Sequence, residues 1–134
     1  MAKVIKFPTS APSSSLVLRE VVCGATGELT KWFKSIPGAR AKFRVRIRNL
    51  RSFPRTDWNK KQFHKLDHGL AEIKWKLPKL QFAAVGFDYQ GAFVMLVGCN
   101  HKMNVYDPPS ALATARRLKG EVENGKWKTV PFEP

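Results

Sequence analysis

Leu70-Ala-Glu-Ile-Lys-Trp-Lys-Leu77 is followed by two nearly continuous apolar stretches, Leu80-Gln-Phe-Ala-Ala-Val-Gly-Phe87 and Ala92-Phe-Val-Met-Leu-Val-Gly-Cys99. Apolar and polar residues alternate in the first stretch, which is typical of a strand with one buried and one exposed face. The other two stretches fit strands in the middle of a sheet, and Asp88 to Gly91 between them is typical of a hairpin turn. The sequence therefore predicts three consecutive strands of one sheet.

A polar block follows the third strand. It runs from Gly98 to Tyr106 and leads directly into Asp107-Pro-Pro. Asp107 is predicted to cap a helix that has Pro108 in its first turn and ends near Gly125. An edge strand is predicted at 127–132.

The N-terminal half is less regular. Residues 1–15 contain a Ser- and Pro-rich stretch and are predicted to form a flexible arm, with a single domain over 16–134. A strand is predicted at 16–23 and a short helix at 26–35. Residues 53–67 show no clear period and are predicted to be a loop.

Residues 39–52 fit two structures. Basic residues alternate with Ala41, Phe43, Val45 and Ile47, which is a strand pattern. Phe43, Ile47 and Leu50 also follow the i, i+4, i+7 spacing of a helix. Periodicity alone slightly favours the strand. The helix is preferred because of the family resemblance described below.

The charge balance indicates a polyanionic partner. The 134 residues include 24 Lys and Arg but only 10 Asp and Glu, a net charge of +14. A charge of this size points to nucleic acid first and to an anionic membrane second. Neither a membrane-spanning stretch nor a signal peptide is predicted, and the two cysteines suit a reduced compartment, so a cytoplasmic protein is expected.

The polar block and the preceding strand supply the candidate catalytic residues. Motifs for a phosphate loop, a nucleophile elbow or a zinc protease are absent from the sequence. The pairs His64/His68 and Cys99/His101 are too loosely spaced for a convincing zinc site, so neither a metal nor another cofactor is predicted.

RNA can be cleaved by its own 2′-hydroxyl if the protein supplies a base, an acid and cations. Lys74 and Lys76 share one face of a strand, and His101 and Tyr106 follow a strand end. These four residues are the predicted catalytic set. The simpler interpretation treats the lysines as solvated, His101 as an ordinary loop residue and Tyr106 as an anchor for the last helix.

From a helix pair and Trp58 through Gly69-Leu-Ala-Glu-Ile-Lys74 to Tyr106-Asp-Pro-Pro109, the chain resembles RelE-type toxins of bacterial and phage toxin–antitoxin modules. It is most similar to the phage-derived RelE-like (HigB-like) branch, over about 26–122. The resemblance implies an α+β fold, in which an N-terminal helical hairpin and a C-terminal helix pack on a small twisted antiparallel sheet. It also implies an mRNA interferase that acts on the ribosome and is restrained by a cognate antitoxin, here expected to be a helix-turn-helix protein.

By position, Lys74 and Lys76 match the basic residues that the family has on the strand after the helices. Tyr106 matches the family's tyrosine before the final helix. Where the family has a phosphate-binding arginine this chain has Gln81, and Asn100 replaces a basic residue. Further RNA-binding residues are expected near these positions and on the arginine-rich segment: Lys79, Gln81, Asn100, Lys102, Arg44, Arg48 and Arg51. The alternatives are an RNA- or protein-binding module that has lost catalysis and a gyrase-targeting ParE-like toxin.

Overall fold

The computed structural model describes residues 16–134, so the predicted arm at 1–15 lies outside the described residues. The elements, in chain order, are β1 (Leu18–Val22), α1 (Glu28–Lys34), α2 (Ala39–Arg51), β2 (Phe63–Lys65), β3 (Ala71–Leu77), β4 (Leu80–Tyr89), β5 (Ala92–Lys102), β6 (Val105–Asp107), α3 (Ala111–Glu123) and β7 (Lys128–Pro131). Short 3₁₀ turns at Arg55–Asp57 and Asp67–Gly69 flank β2.

The sheet is seven-stranded and mixed. Its order is β2-β3-β4-β5-β1-β7, and β6 pairs with the far end of β5. Strand β1 runs parallel to β5, whereas all the other pairs are antiparallel. The predicted fold class is therefore wrong. In place of a small antiparallel sheet behind an N-terminal helical hairpin, the described region begins with β1, an inner strand of a mixed sheet, and α1 and α2 follow that strand.

Two of the additional strands escaped prediction because they are only three residues long. Strand β2 lies within the predicted loop at 53–67 and pairs with the first residues of β3. Strand β6 pairs Tyr106 with His101, and this pairing delays the start of α3 to Ala111, past the predicted start near Asp107. Three residues carry too little periodicity to identify a strand.

Helix α2 confirms the helical interpretation of residues 39–52. Phe43, Ile47 and Leu50 are all buried on one side of it. The indole of Trp75 donates a hydrogen bond to the carbonyl of Ala39 at 3.0 Å, which ties the start of the helix to β3. Burial of the apolar face decides the structure, because a strand would have split these residues between two environments.

Alternate positions of the central strands face two separate cores. Phe82 and Ala84 of β4 belong to the core that includes α1 and α2. Ala83 and Val85 of the same strand belong to the core that includes α3. Since successive strand side chains point to opposite faces, the sheet is covered on both sides over part of its area.

None of the helices in residues 16–134 is long and apolar enough to cross a membrane.

Candidate functional site

The centre of the candidate site is a buried carboxylate. Glu72, the second residue of β3, has no solvent-exposed surface. It lies opposite His64 of β2 and Val85 of β4 in the strand register. A buried carboxylate is costly unless it is paired or hydrogen-bonded, so its neighbours decide what Glu72 does.

Three side chains surround this carboxylate. Nδ1 of His101 lies 2.8 Å from Oε1, and Nδ1 of His64 lies 3.3 Å from Oε2. The Tyr106 hydroxyl donates to both oxygens, at 3.1 and 3.2 Å. Two histidines and one tyrosine, contributed by β2, β5 and β6, thus satisfy one acid of β3. We call Glu72, His64, His101 and Tyr106 the Glu72 cluster.

The cluster orients the imidazole of His101. An ionised carboxylate only accepts hydrogen bonds, so the tautomer that fits this geometry carries its proton on Nδ1. Nε2 is then the nitrogen available to a ligand. The Tyr106 ring stacks on the imidazole with centroids 3.9 Å apart and planes inclined by 13°. Only 11% of the His101 side chain is exposed, so the ring has little freedom to turn.

Tyr106 is held in its neutral form. Burial, the charge of Glu72 and the hydrogen bond to Glu72 all raise the pKa of the phenol above its usual range. A phenol with a raised pKa is a hydrogen-bond donor and a poor base near neutral pH. Of these two members of the predicted catalytic set, His101 and not Tyr106 is therefore suited to accept a proton.

A cavity of about 480 Å³ lies beside His101. Its lining includes His101 and four cations, and none of the lining residues in the described part of the chain is acidic. The cations are Arg46, Lys61, Lys74 and Lys76. Within residues 16–134, none of these four makes an ion pair with a carboxylate. We call this space the catalytic cavity, after the predicted catalytic residues Lys74, Lys76 and His101 in its lining. Its electrostatic character favours an anion.

Two of the cavity cations were not among the predicted site residues. Arg46 donates from Nε to the carbonyl of Lys74 at 2.7 Å, and burial lowers the pKa of its guanidinium. The helical interpretation of α2 is enough to place Arg46 at the margin of the buried face, because Arg46 lies three residues after Phe43 and four before Leu50. Lys61 lies in the segment taken for a loop and gave no signal.

Glu72 was also missed, because alternation with Lys74 and Lys76 placed it among the solvent-facing residues of its strand. Its burial depends on His64, His101 and Tyr106, which approach from other strands. The short sequence distance between Glu72 and His64 was the one available signal. It becomes informative only when both residues are known to lie on paired strands.

The predicted RNA-binding residues separate into several groups. Gln81 lines the catalytic cavity, and Lys79 and Lys102 lie around the end of the β3–β4 hairpin. Asn100 is half-buried and, by strand alternation, faces away from its neighbour His101. These assignments remain predictions.

The three arginines of α2 that were predicted to bind RNA lie outside this cavity. Arg44 donates to the carbonyl of Pro134 at 3.0 Å, and Arg51 donates twice to the carbonyl of Leu16 at 3.0 and 2.7 Å. These two side chains hold the two ends of the described chain against α2. Arg48 is exposed on the same helix and, like Arg44 and Arg51, does not line the catalytic cavity.

The described region contains no cluster of three or more His, Cys, Asp or Glu residues arranged to hold a metal ion. Cys99 is buried, and its thiol lies 3.6 Å from the carbonyl of Ala83. Burial, Glu72 and Asp107 together raise the pKa of this thiol to about 12. A thiol that keeps its proton is a poor nucleophile and a poor metal ligand.

Comparison of the chain with protein-family models, curated proteins and solved structures finds no match.

Proposed function

We propose that this protein is a metal-independent endoribonuclease. The observation that carries the proposal is that an imidazole oriented by a buried carboxylate lines the same cavity as four cations, none of which has an acidic partner among residues 16–134. A base and a set of cations around one phosphate are what 2′-hydroxyl transesterification requires. A ligand with a backbone phosphate and an adjacent hydroxyl, namely RNA, suits both features.

In the proposed reaction, Nε2 of His101 accepts the proton of the 2′-hydroxyl, and the 2′-oxygen attacks the adjacent phosphorus. Glu72 stabilises the imidazolium that forms, because its carboxylate already lies 2.8 Å from Nδ1. Lys74 and Arg46 stabilise the negative charge that develops on the phosphoryl oxygens. As the bond from phosphorus to the 5′-oxygen breaks, the ammonium of Lys76 donates a proton to the leaving oxygen. The products are a 2′,3′-cyclic phosphate and a free 5′-hydroxyl.

The cellular part of the proposal rests on the resemblance to RelE-type toxins. In this form of the proposal the substrate is mRNA on the ribosome, and a helix-turn-helix antitoxin restrains the enzyme. Induction of the chain in cells is expected to stop growth and to yield mRNA ends in phase with codons, mapped by primer extension. Normal growth with intact messages would contradict the toxin role.

Cleavage itself is tested with purified protein in EDTA, with and without ribosomes. The substrate is a 5′-labelled RNA oligonucleotide, and its fully 2′-deoxy counterpart is the control. Cleavage of the RNA alone, leaving cyclic phosphate ends, is the expected result. Cleavage of both, or of neither under either condition, would refute the mechanism.

Two histidine variants test the assigned base. His101→Ala is expected to lower kcat by about 10²–10⁴, the usual contribution of a general base. His68→Asn is the matched control, because His68 lies outside the Glu72 cluster and asparagine tolerates its φ of 62°. Equal activity of the two variants would exclude His101 as the base.

A second candidate is an RNA-binding module without catalysis, and Gln81 favours it. Gln81 lines the catalytic cavity at the position where the resemblance leads one to expect a phosphate-binding arginine. If the protein is such a module, its wild-type and His101→Ala forms should arrest growth, or bind RNA, to the same extent. The same pair of variants therefore separates the two functions.

A further inference from the structure

A second basic cavity adjoins the catalytic cavity. It has a volume of about 410 Å³ and surrounds the end of the β3–β4 hairpin. Four lysines line it: Lys42, Lys76, Lys79 and Lys102. We call it the hairpin cavity. Lys76 and Gln81 line both cavities, so the two cavities are neighbours.

The hairpin cavity has the electrostatic character of a phosphate site. None of its lining residues is acidic, and within residues 16–134 none of its four lysines makes an ion pair with a carboxylate. Lys76 and Lys79 come from β3 and the turn that follows it, whereas Lys42 of α2 and Lys102 of β5 come from distant parts of the sequence. The remaining lining includes the apolar side chains of Leu77, Pro78 and Leu80, and Leu80 is 42% exposed. Cations beside an accessible apolar surface suit a nucleotide, which carries both a phosphate and a flat base.

We propose that the hairpin cavity binds the backbone of RNA next to the cleaved bond, and that the substrate is single-stranded at this point. The inference rests on the proposed function, because it takes the catalytic cavity as the place of cleavage. Lys74 and Lys76 lie two residues apart on one strand, roughly 7 Å at the usual rise per residue. A flexible single strand of RNA can place one phosphate beside His101 and the next phosphates along the hairpin. An A-form duplex, in contrast, holds each 2′-hydroxyl out of line for attack on the adjacent phosphorus.

Binding of a non-cleavable probe tests the inference separately from catalysis. The probe is a 2′-O-methyl decamer of uridylate, and its affinity is measured between 50 and 200 mM salt. The variants are Lys79→Gln combined with Lys102→Gln, and Lys128→Gln as the control. Lys128 is exposed on β7, at the opposite edge of the sheet from the hairpin cavity.

The double variant is expected to weaken binding and to reduce the salt dependence. Each lost phosphate contact lowers the slope of log K against log salt by about 0.7 for a single strand. Two lost contacts reduce the slope by about 1.4. An increase in salt from 50 to 200 mM should therefore weaken binding by the double variant about sevenfold less than it weakens binding by the wild type. Lys128→Gln should match the wild type. A duplex of the uridylate decamer with a complementary adenylate decamer should compete with the probe more weakly than the single-stranded uridylate decamer does.

An unchanged slope in the double variant, equal competition by the duplex, or no binding of the probe by the wild type would each overturn the inference. Failure of cleavage with a reduced slope in the double variant would refute the endoribonuclease proposal alone. Cleavage with an unchanged slope would refute the hairpin cavity alone.

Discussion

Replacement of Glu72 by glutamine is the sharpest test of the candidate site. The change preserves the shape of the side chain but removes its charge and converts one acceptor oxygen into a donor NH₂. Four contacts now end on the two carboxylate oxygens: His101 at 2.8 Å, Tyr106 at 3.1 and 3.2 Å, and His64 at 3.3 Å. Glutamine leaves one oxygen for all of them, so at least one donor loses its partner.

The expected loss falls on catalysis. A hydrogen bond to a charged group is worth about 1.5–3 kcal/mol, and here it also sets the tautomer of the proposed base. Losing about 3 kcal/mol of transition-state stabilisation corresponds to a fall in kcat of about 10². KM should change little, because the four cations of the catalytic cavity remain. Stability should change by less than about 2 kcal/mol, since relief of a buried charge offsets the lost hydrogen bonds.

The assay compares kcat and KM of Glu72→Gln and Glu123→Gln on the same labelled RNA, with unfolding by urea as the check on folding. Glu123 is a partly exposed acid of α3 that pairs with Lys119, so its loss should leave both constants unchanged. NMR of the imidazole nitrogens gives a readout that does not depend on activity: the Nδ1–H form of His101 should dominate in the wild type and lose that preference in Glu72→Gln. A folded Glu72→Gln protein with full kcat and an unchanged His101 tautomer would refute the reasoning.

Three further predictions concern the cavity and the core. Gln81→Arg adds a charge-assisted contact to phosphate, worth about 1.5–3 kcal/mol, and should raise kcat/KM by about tenfold to hundredfold; an unchanged rate would show that Gln81 does not contact the phosphate. Gly98→Ala should lower the free energy of unfolding by about 1–3 kcal/mol in urea titrations, because a Cβ there overlaps the Trp32 ring, whereas Gly120→Ala, in open space on α3, should raise it by about 0.5–1 kcal/mol; equal effects would contradict this. Folding raises the pKa of Cys99 from 9.0 to about 12, so above pH 9 the unfolded chain loses this proton first and stability falls by about 1.4 kcal/mol per pH unit; the difference in unfolding free energy between wild type and Cys99→Ala should follow that slope up to about pH 12, and a constant difference would contradict it.

Much of the local structure could be predicted because its signals lie within a few residues. Alternation identified β3, apolar runs identified β4 and β5 as inner strands, and Gly125 was placed just beyond the end of α3. The helical interpretation of 39–52 needed the resemblance in addition, since periodicity slightly favoured a strand there.

The predicted architecture was wrong because strand order is a property of distant pairs. The position of β1 between β5 and β7, parallel to β5, depends on residues more than 70 positions apart, and the pattern of Leu18–Val22 does not encode its partners. Strands β2 and β6 are stable only as additions to longer neighbours, so their own sequence carries almost no signal.

By itself, the sequence determined which functional groups the protein contains: a strongly basic chain, lysines on one strand face, and a histidine and a tyrosine at a strand end. Only the tertiary structure decided which of these groups contact one another and which line the cavity. It buried Glu72 beneath His64, His101 and Tyr106, and it placed Arg46 in the catalytic cavity. It also turned the arginines at 44 and 51 toward the carbonyls of Pro134 and Leu16. The physical reason is that burial and hydrogen bonding depend on neighbours brought together by sheet pairing, which local sequence patterns do not specify.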